Sequence, residues 1–260
     1  MPRIRTSTPL LLGLLVVSTA APAAAPYIGV TRHGTPDDAK DTVSKTCSGC
    51  HGMHGVVSAP SFPNLAGQSY NYLLKQLEDF RSGARQAAPM SSMIKTVPKA
   101  KDDRNLENLA AYFSSQKPGR GHEQGAAFDR SVVERGYRVY QEGDRANKVP
   151  ACAACHTRAA TGMAPMAVPA LAGQNAAYLS GQLERFAQGK RDNSPGHVMQ
   201  LIAARLDKKE IQAVSVYLQS LHPMQLPNTY AALIKDAKKE PVPGVSPSVI
   251  KSGSGQGQQQ

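Results

Sequence analysis

Two five-residue segments concentrate the reactive side chains of this 260-residue chain: Cys47-Ser-Gly-Cys50-His51 and Cys152-Ala-Ala-Cys155-His156. Between them they hold all four cysteines. Two thiols three positions apart, followed at once by an imidazole, make the attachment pattern of c-type haem. The thiols bond the two vinyl groups of one porphyrin as thioethers, and the histidine then lies under the iron as proximal ligand. One such segment arises by chance; two, at matching places of a repeat, seldom would. The rival chemistries fit worse. A four-thiol zinc site needs motifs 105 residues apart to converge and leaves both histidines unused. A redox-active dithiol needs a strand–helix setting that this pattern lacks. The expected cofactors are therefore two covalently bound haem c groups, with Cys47, Cys50, Cys152 and Cys155 as attachment points and His51 and His156 on the iron.

The far side of each iron decides between carrier and catalyst. A thioether there fills the coordination, favours the ferrous state and raises the potential. In the second half the candidate is Met199, with Met163, Met166 and Met224 as competitors. The first half offers Met90 and Met93, and two criteria disagree. Spacing favours Met93, because Arg85 precedes it by as much as Arg191 precedes Met199. Local pattern favours Met90. Met199 is followed by Ile202 and Leu206 at +3 and +7, and Met90 by Met93 and Val97, whereas Met93 finds Thr96 and Ala100 with Pro98 close behind. Met90 is the preferred reading and Met93 the alternative. His197, near Met199, is a minor rival ligand with no matching histidine in the first half. His54 faces solvent on this reading. The carbonyls beside Pro63 and Pro169 are placed to receive the proximal imidazole N–H groups.

What positions these groups is an internal repeat at an offset of about 105 residues. Leu65-Ala66-Gly67-Gln68 returns as Leu171-Ala172-Gly173-Gln174. Tyr72, Leu73, Gln76, Leu77, Phe80, Gly83 and Arg85 return as Tyr178, Leu179, Gln182, Leu183, Phe186, Gly189 and Arg191. Leu73, Leu77 and Phe80 share one helical face, and Gly83 is placed to stop that helix. Leu106, Leu109, Ala110 and Phe113 mark a second amphipathic helix, matched by Ile211, Val214, Tyr217 and Leu218. Helices are also expected ahead of each motif, over 38–45 and 131–142. Alternating strand patterns are absent. The fold class is all-α, two tandem domains joined by a polar stretch over 114–125.

Composition agrees. The chain is 41% hydrophobic, 5% aromatic and free of tryptophan, so two small cores would be short of flat bulk without a cofactor. It opens like a secretory leader: Arg3 and Arg5, an apolar run over 10–17, then small residues over 20–25. The apolar run is short for a span, which needs about 20 residues; an uncleaved anchor is the alternative. Losing the leader takes the net charge from +11 to +9, before four haem propionates are added. That charge is read as steering acidic protein partners, not as a nucleic-acid surface. Beyond His222 the prolines and the closing Ser-Gly-Ser-Gly-Gln-Gly-Gln-Gln-Gln read as a disordered tail. The expected boundaries are 1–25 leader, 26–117 first domain, 118–128 linker, 129–222 second domain and 223–260 tail.

The paired motifs, the two Leu-Ala-Gly-Gln segments and the run Leu-Ala-Ala-Tyr-Phe-Ser-Ser-Gln from Leu109 resemble the dihaem cytochrome c4 family over roughly 38–222. The resemblance implies two class I cytochrome c domains with His/Met iron and haem propionates near their interface. It implies periplasmic electron transfer to a terminal oxidase from a quinol-oxidising complex or a periplasmic donor, in loose association with the membrane. The rival readings are a dihaem enzyme, such as a peroxidase or thiosulfate-oxidising cytochrome, and a dihaem subunit of a larger dehydrogenase. An enzyme needs an open or displaceable iron position. No cysteine is left over for a thiolate ligand, and methionine candidates in both halves favour the carrier.

Overall fold

The computed structural model describes residues 34–57, 59–97, 104–119, 128–223 and 250–251. The leader, most of the tail and Met224 lie outside them. In the first half a helical run leads straight into the first motif. A 3-10 turn, Pro36–Ala39, passes into α1 (Lys40–Thr42), then a π-helical stretch, Val43–Cys47, then α2 (Ser48–His51). The expected helix over 38–45 is thus present but wound unevenly. π-turns of this kind recur at functional sites. Next come α3 (Tyr70–Ser82), α4 (Met90–Thr96) and α5 (Arg104–Ser115). The second half supplies α6 (Arg130–Glu142), α7 (Ala153–His156), α8 (Ala176–Ala187), α9 (Val198–Ala203) and α10 (Lys208–Ser220).

The helix ends follow local chemistry. Ser69 caps α3 by accepting the Tyr72 N–H, and Gly83 closes it in the left-handed region at φ 86°. Asp207 and Glu210 form a reciprocal capping box on α10. α5 runs on through Ser115, so the expected polar connection starts later than residue 114. Pro118 beyond it lies against Gly67, where an added Cβ would fall 2.3 Å from the proline ring.

Each half buries one apolar core. The first gathers Val43, Leu73, Phe80, Ile94, Leu106 and Phe113; the second gathers Val133, Tyr140, Leu179, Val214, Tyr217 and Leu218. In both, the opening segment crosses the closing helix at a glycine. A Cβ on Gly34 would lie 2.1 Å from the Glu107 carbonyl oxygen, and one on Gly136 would lie 2.1 Å from that of Ala213. Backbone meets backbone there, so neither position tolerates a side chain. The all-helical expectation holds but for two short strands, β1 (Phe128–Asp129) and β2 (Ile250–Lys251), which pair in parallel. That pairing takes two tail residues out of the expected disordered segment. Among the described residues no helix is long and apolar enough to cross a membrane.

Candidate functional site

The proximal groups are built alike in both halves. His51 and His156 end short helices and are buried to 6% and 8% exposure. The Nδ1 of His51 lies 3.2 Å from the Pro63 carbonyl oxygen, and that of His156 lies 3.0 Å from the Pro169 carbonyl oxygen. Nδ1–H donates to that carbonyl, which leaves Nε2 as the unprotonated nitrogen, able to take a metal. Burial lowers both imidazoles below their ordinary pKa, outweighing the carbonyl bond that raises it, so each is neutral near pH 7. The two prolines thus do what their place before Leu-Ala-Gly-Gln suggests.

None of the four cysteines is joined to another in a disulfide. Cys47 packs against the first core and Cys152 against the second, while Cys50 and Cys155 are exposed. Burial pushes the Cys47 and Cys152 thiols up to about 11. Among the described residues no three His, Cys, Asp or Glu side chains come together as a metal cluster. The zinc alternative fails on this point.

The methionines sit on matching short helices. Met199 is the second residue of α9; its backbone N–H donates to Ser194 Oγ at 3.1 Å, and Ser194 in turn bonds Gln200. His197 is exposed and pairs with Asp192 at 2.6 Å, away from any core. Met90 opens α4 and packs, half-buried, against the same core as Cys47. Met93 lies one turn further along the same helix, and Ile94 and Val97 are its buried residues and its buried successor. Met163 flanks, and Met166 closes, a 3-10 turn after the second motif; Met166 is exposed. His54 is exposed and its ring meets Gln116 Oε1 at 3.1 Å.

Between the halves lies a buried polar network that the repeat only hinted at. Gln68 brackets the backbone of Ala170, donating to its carbonyl and accepting its N–H, both at 2.9 Å. Gln174 does the same to Asn64, again at 2.9 Å. Each glutamine is the repeat counterpart of the other, so the contact is two-fold in pattern, as in an isologous dimer. Arg85 donates to Gln76 at 2.7 Å within its own half, and to Tyr178 at 3.1 Å and Gln182 at 2.8 Å across it. Arg191 mirrors this with Gln182 at 2.8 Å, Tyr72 at 3.2 Å and Gln76 at 3.1 Å. Each guanidinium also caps a ring of its own half: Arg85 over Phe80 at 4.6 Å and Arg191 over Phe186 at 4.4 Å. Symmetry breaks at Lys75, which bonds Asp79 and the Asn193 carbonyl, while Asn193 Nδ2 reaches Asp79 at 2.6 Å. Burial alone would raise the Tyr72 phenol, but Arg191, Arg85 and Lys75 outweigh it and hold its pKa below the ordinary value.

The donor set suits two haems. Each half offers two thiols and a neutral, oriented imidazole, with a methionine on a separate helix. The network supplies the complementary charge: Lys75, Arg85 and Arg191 are all buried, and among the described residues they meet one carboxylate, Asp79, while Arg85 Nε has no hydrogen-bond partner. Buried positive charge in excess calls for anions, and a porphyrin brings carboxylates.

The sequence comparisons agree with that fit. The family model described as Cytochrome c matches residues 37–117 and again 133–222. A cytochrome c4 of Azotobacter vinelandii is 42% identical over 171 residues, covering 64% of this chain and 79% of that protein. A protein of Stutzerimonas stutzeri named thiosulfate dehydrogenase electron acceptor is 35% identical over 167 residues, covering 64% and 73%. Among solved structures, reduced recombinant cytochrome c4 from Pseudomonas stutzeri superposes with a TM-score of 0.66 at 36% identity, covering 73% of this chain and all of that one. With its two halves each matching a cytochrome c domain and its architecture that of a solved cytochrome c4, the chain belongs to the cytochrome c4 family and carries two covalently bound haem c groups.

Proposed function

We propose that this dihaem electron carrier works in the periplasm, accepting electrons from a quinol-oxidising complex or a periplasmic donor and passing them to a terminal oxidase. Bound haem supplies a reversible one-electron iron couple. The chain does the rest. Cys47 and Cys50 anchor one porphyrin and Cys152 and Cys155 the other. His51 and His156 ligate from one side through Nε2, held by the Pro63 and Pro169 carbonyls. Met90 and Met199 ligate from the other, and Lys75, Arg85 and Arg191 receive propionate charge at the junction. Met90 is preferred over Met93 because it packs against the first core, as Cys47 does. It also shares the register of Met199, with Ile94 and Val97 buried where Ala203 and Leu206 pack in the second half. The domains run 26–117 and 129–222, joined by 118–128.

The observation that carries this reading is the duplication of the site. The same proximal latch and the same methionine-bearing helix occur in both halves, so neither half is set aside for an open iron. The relative named thiosulfate dehydrogenase electron acceptor favours a second donor, a thiosulfate-oxidising dehydrogenase, with the chain still a carrier. The test is a redox-titrated optical spectrum of the purified mature protein, joined to intact mass spectrometry. The expected result is two haems per denatured chain, no titratable thiol, and a methionine-to-iron band from both ferric sites. One haem, a reactive thiol, or a high-spin site that binds cyanide or peroxide in the resting protein would refute the carrier.

A further inference from the structure

The two halves differ most where their methionine-bearing helices meet solvent. α9 exposes Val198 at 44% and Leu201 at 57%, three residues apart and so on one face. Leu201 follows Met199 by two positions, about 200° round the helix, and buried Ala203 marks the inner side. Met199 and Leu201 therefore leave the helix on opposite sides, with Met199 on the side of the core. With Met90 matched to Met199, the first half has Pro89 and Ser92 at these places, both exposed. The apolar pair belongs to the second half alone.

Charge is also added there. The loop between α6 and α7 has no counterpart in the first half, where the helical run enters the motif without a break. It carries exposed Arg145 and Lys148, and Arg205 just past α9 ties to it by donating to the Lys148 carbonyl at 3.0 Å. Lys208 and Lys209 open α10 and are exposed; the repeat places Asp103 and Arg104 at the corresponding positions. The carboxylates on this side keep their charge and turn to local partners. Asp144 holds Asn147 and the Ala146 N–H, Asp192 holds His197, and Asp207 caps α10. What faces solvent is an apolar pair with exposed cations on the same stretch and its neighbours in the chain: Arg205 just past it, Lys208 and Lys209 at the start of α10, and Arg145 and Lys148 on the loop that Arg205 reaches.

We propose that this face, Val198 and Leu201 together with Arg145, Lys148, Arg205 and Lys208, docks a redox protein that presents an apolar patch bordered by carboxylates. Partner exchange then runs through the second domain and not the first. The inference rests on the carrier reading above and names the surface that reading leaves open. Such contacts are small, fast and steered by charge, with little buried area.

The probe is flavodoxin, an acidic redox protein, added to the full ferrous ¹⁵N-labelled holoprotein. Amide shifts are expected to centre on residues 145–148 and 198–209. Affinity should fall at least tenfold as salt rises from about 10 mM to about 150 mM, over which the Debye length shrinks from about 30 Å to about 8 Å. Leu201→Ser, which copies the first half, and the pair Lys148→Glu with Lys208→Glu should each weaken binding at least tenfold. Lys95→Glu, exposed on α4, should change it less than twofold. Shifts centred on the first half, binding indifferent to salt, no binding at all, or binding abolished by removing residues after 222 would each overturn the proposal. Failure of the carrier reading looks different: flavodoxin hydroquinone would then not convert the ferric protein to its ferrous spectrum. Failure of the docking face leaves that conversion intact and the named substitutions without effect.

Discussion

Met199→Ala removes one methionine-to-iron band from the ferric spectrum and lowers one of the two potentials, leaving the other haem as it was. Axial ligands move haem potentials over about 0.8 V, so the expected drop is on the order of a few hundred millivolts. Met90→Ala does the same at the first haem. The contrast with Met93→Ala is what makes this decisive. Met90 lies at the start of α4 against the core that also receives Cys47. From it, positions +4 and +7 are Ile94 and Val97, both buried; from Met199 they are Ala203, buried, and Leu206, packed on the second core. Met93→Ala should therefore cost some packing and leave the band in place. If Met93→Ala abolishes the first-half band and Met90→Ala spares it, the equal spacing from Arg85 and Arg191 was the better guide.

The second large effect is expected at the junction of the halves. Arg85→Ala strips a buried donor from Gln76, Tyr178 and Gln182 at once. Removing one partner of a buried charged network typically costs about 3–5 kcal/mol, because the groups left behind stay desolvated and unpaired. Gln76 and Gln182 keep Arg191 as a second donor, so about 2–4 kcal/mol is the expectation here. Arg85→Lys should recover little of it. A single ammonium cannot hold Gln76 on one side and Tyr178 with Gln182 on the other, as the planar fork does. Because the bonds cross between halves, calorimetry of the holoprotein should show both halves affected, with one cooperative transition splitting toward two. Arg130→Ala is the control. Its partner Glu134 is as exposed as it is, and such surface pairs contribute about 1 kcal/mol or less. A loss at Arg85 no larger than at Arg130 would mean the network is not what joins the halves.

Much of this protein was readable from residues close together in the chain. Haem attachment needs two thiols and an imidazole within one helical turn, so the cofactor and its number are written in contiguous sequence. The helix Tyr70–Ser82, with its stop at Gly83, follows from local periodicity and from the backbone freedom of one glycine. The distal ligand was harder because it arrives from a separate helix. Sequence spacing then competes with local pattern, and the helix that brings the ligand, Met90–Thr96, carries both Met90 and Met93.

The junction was least legible. Gln76, Arg85 and Tyr72 were visible as repeated residues, yet nothing in their own neighbourhood says which partner each polar group meets. Lys75, Asp79 and Asn193 are not repeated: the other half holds Gly181, Arg185 and Ala87 at the matching places. Their bonds span up to 118 residues of chain and exist only because the two cores stack with a two-fold relation. Periodicity and motif chemistry are short-range and act on each half alone. The pairing of buried polar groups depends on how two finished halves are placed against each other, and only the tertiary structure decides that.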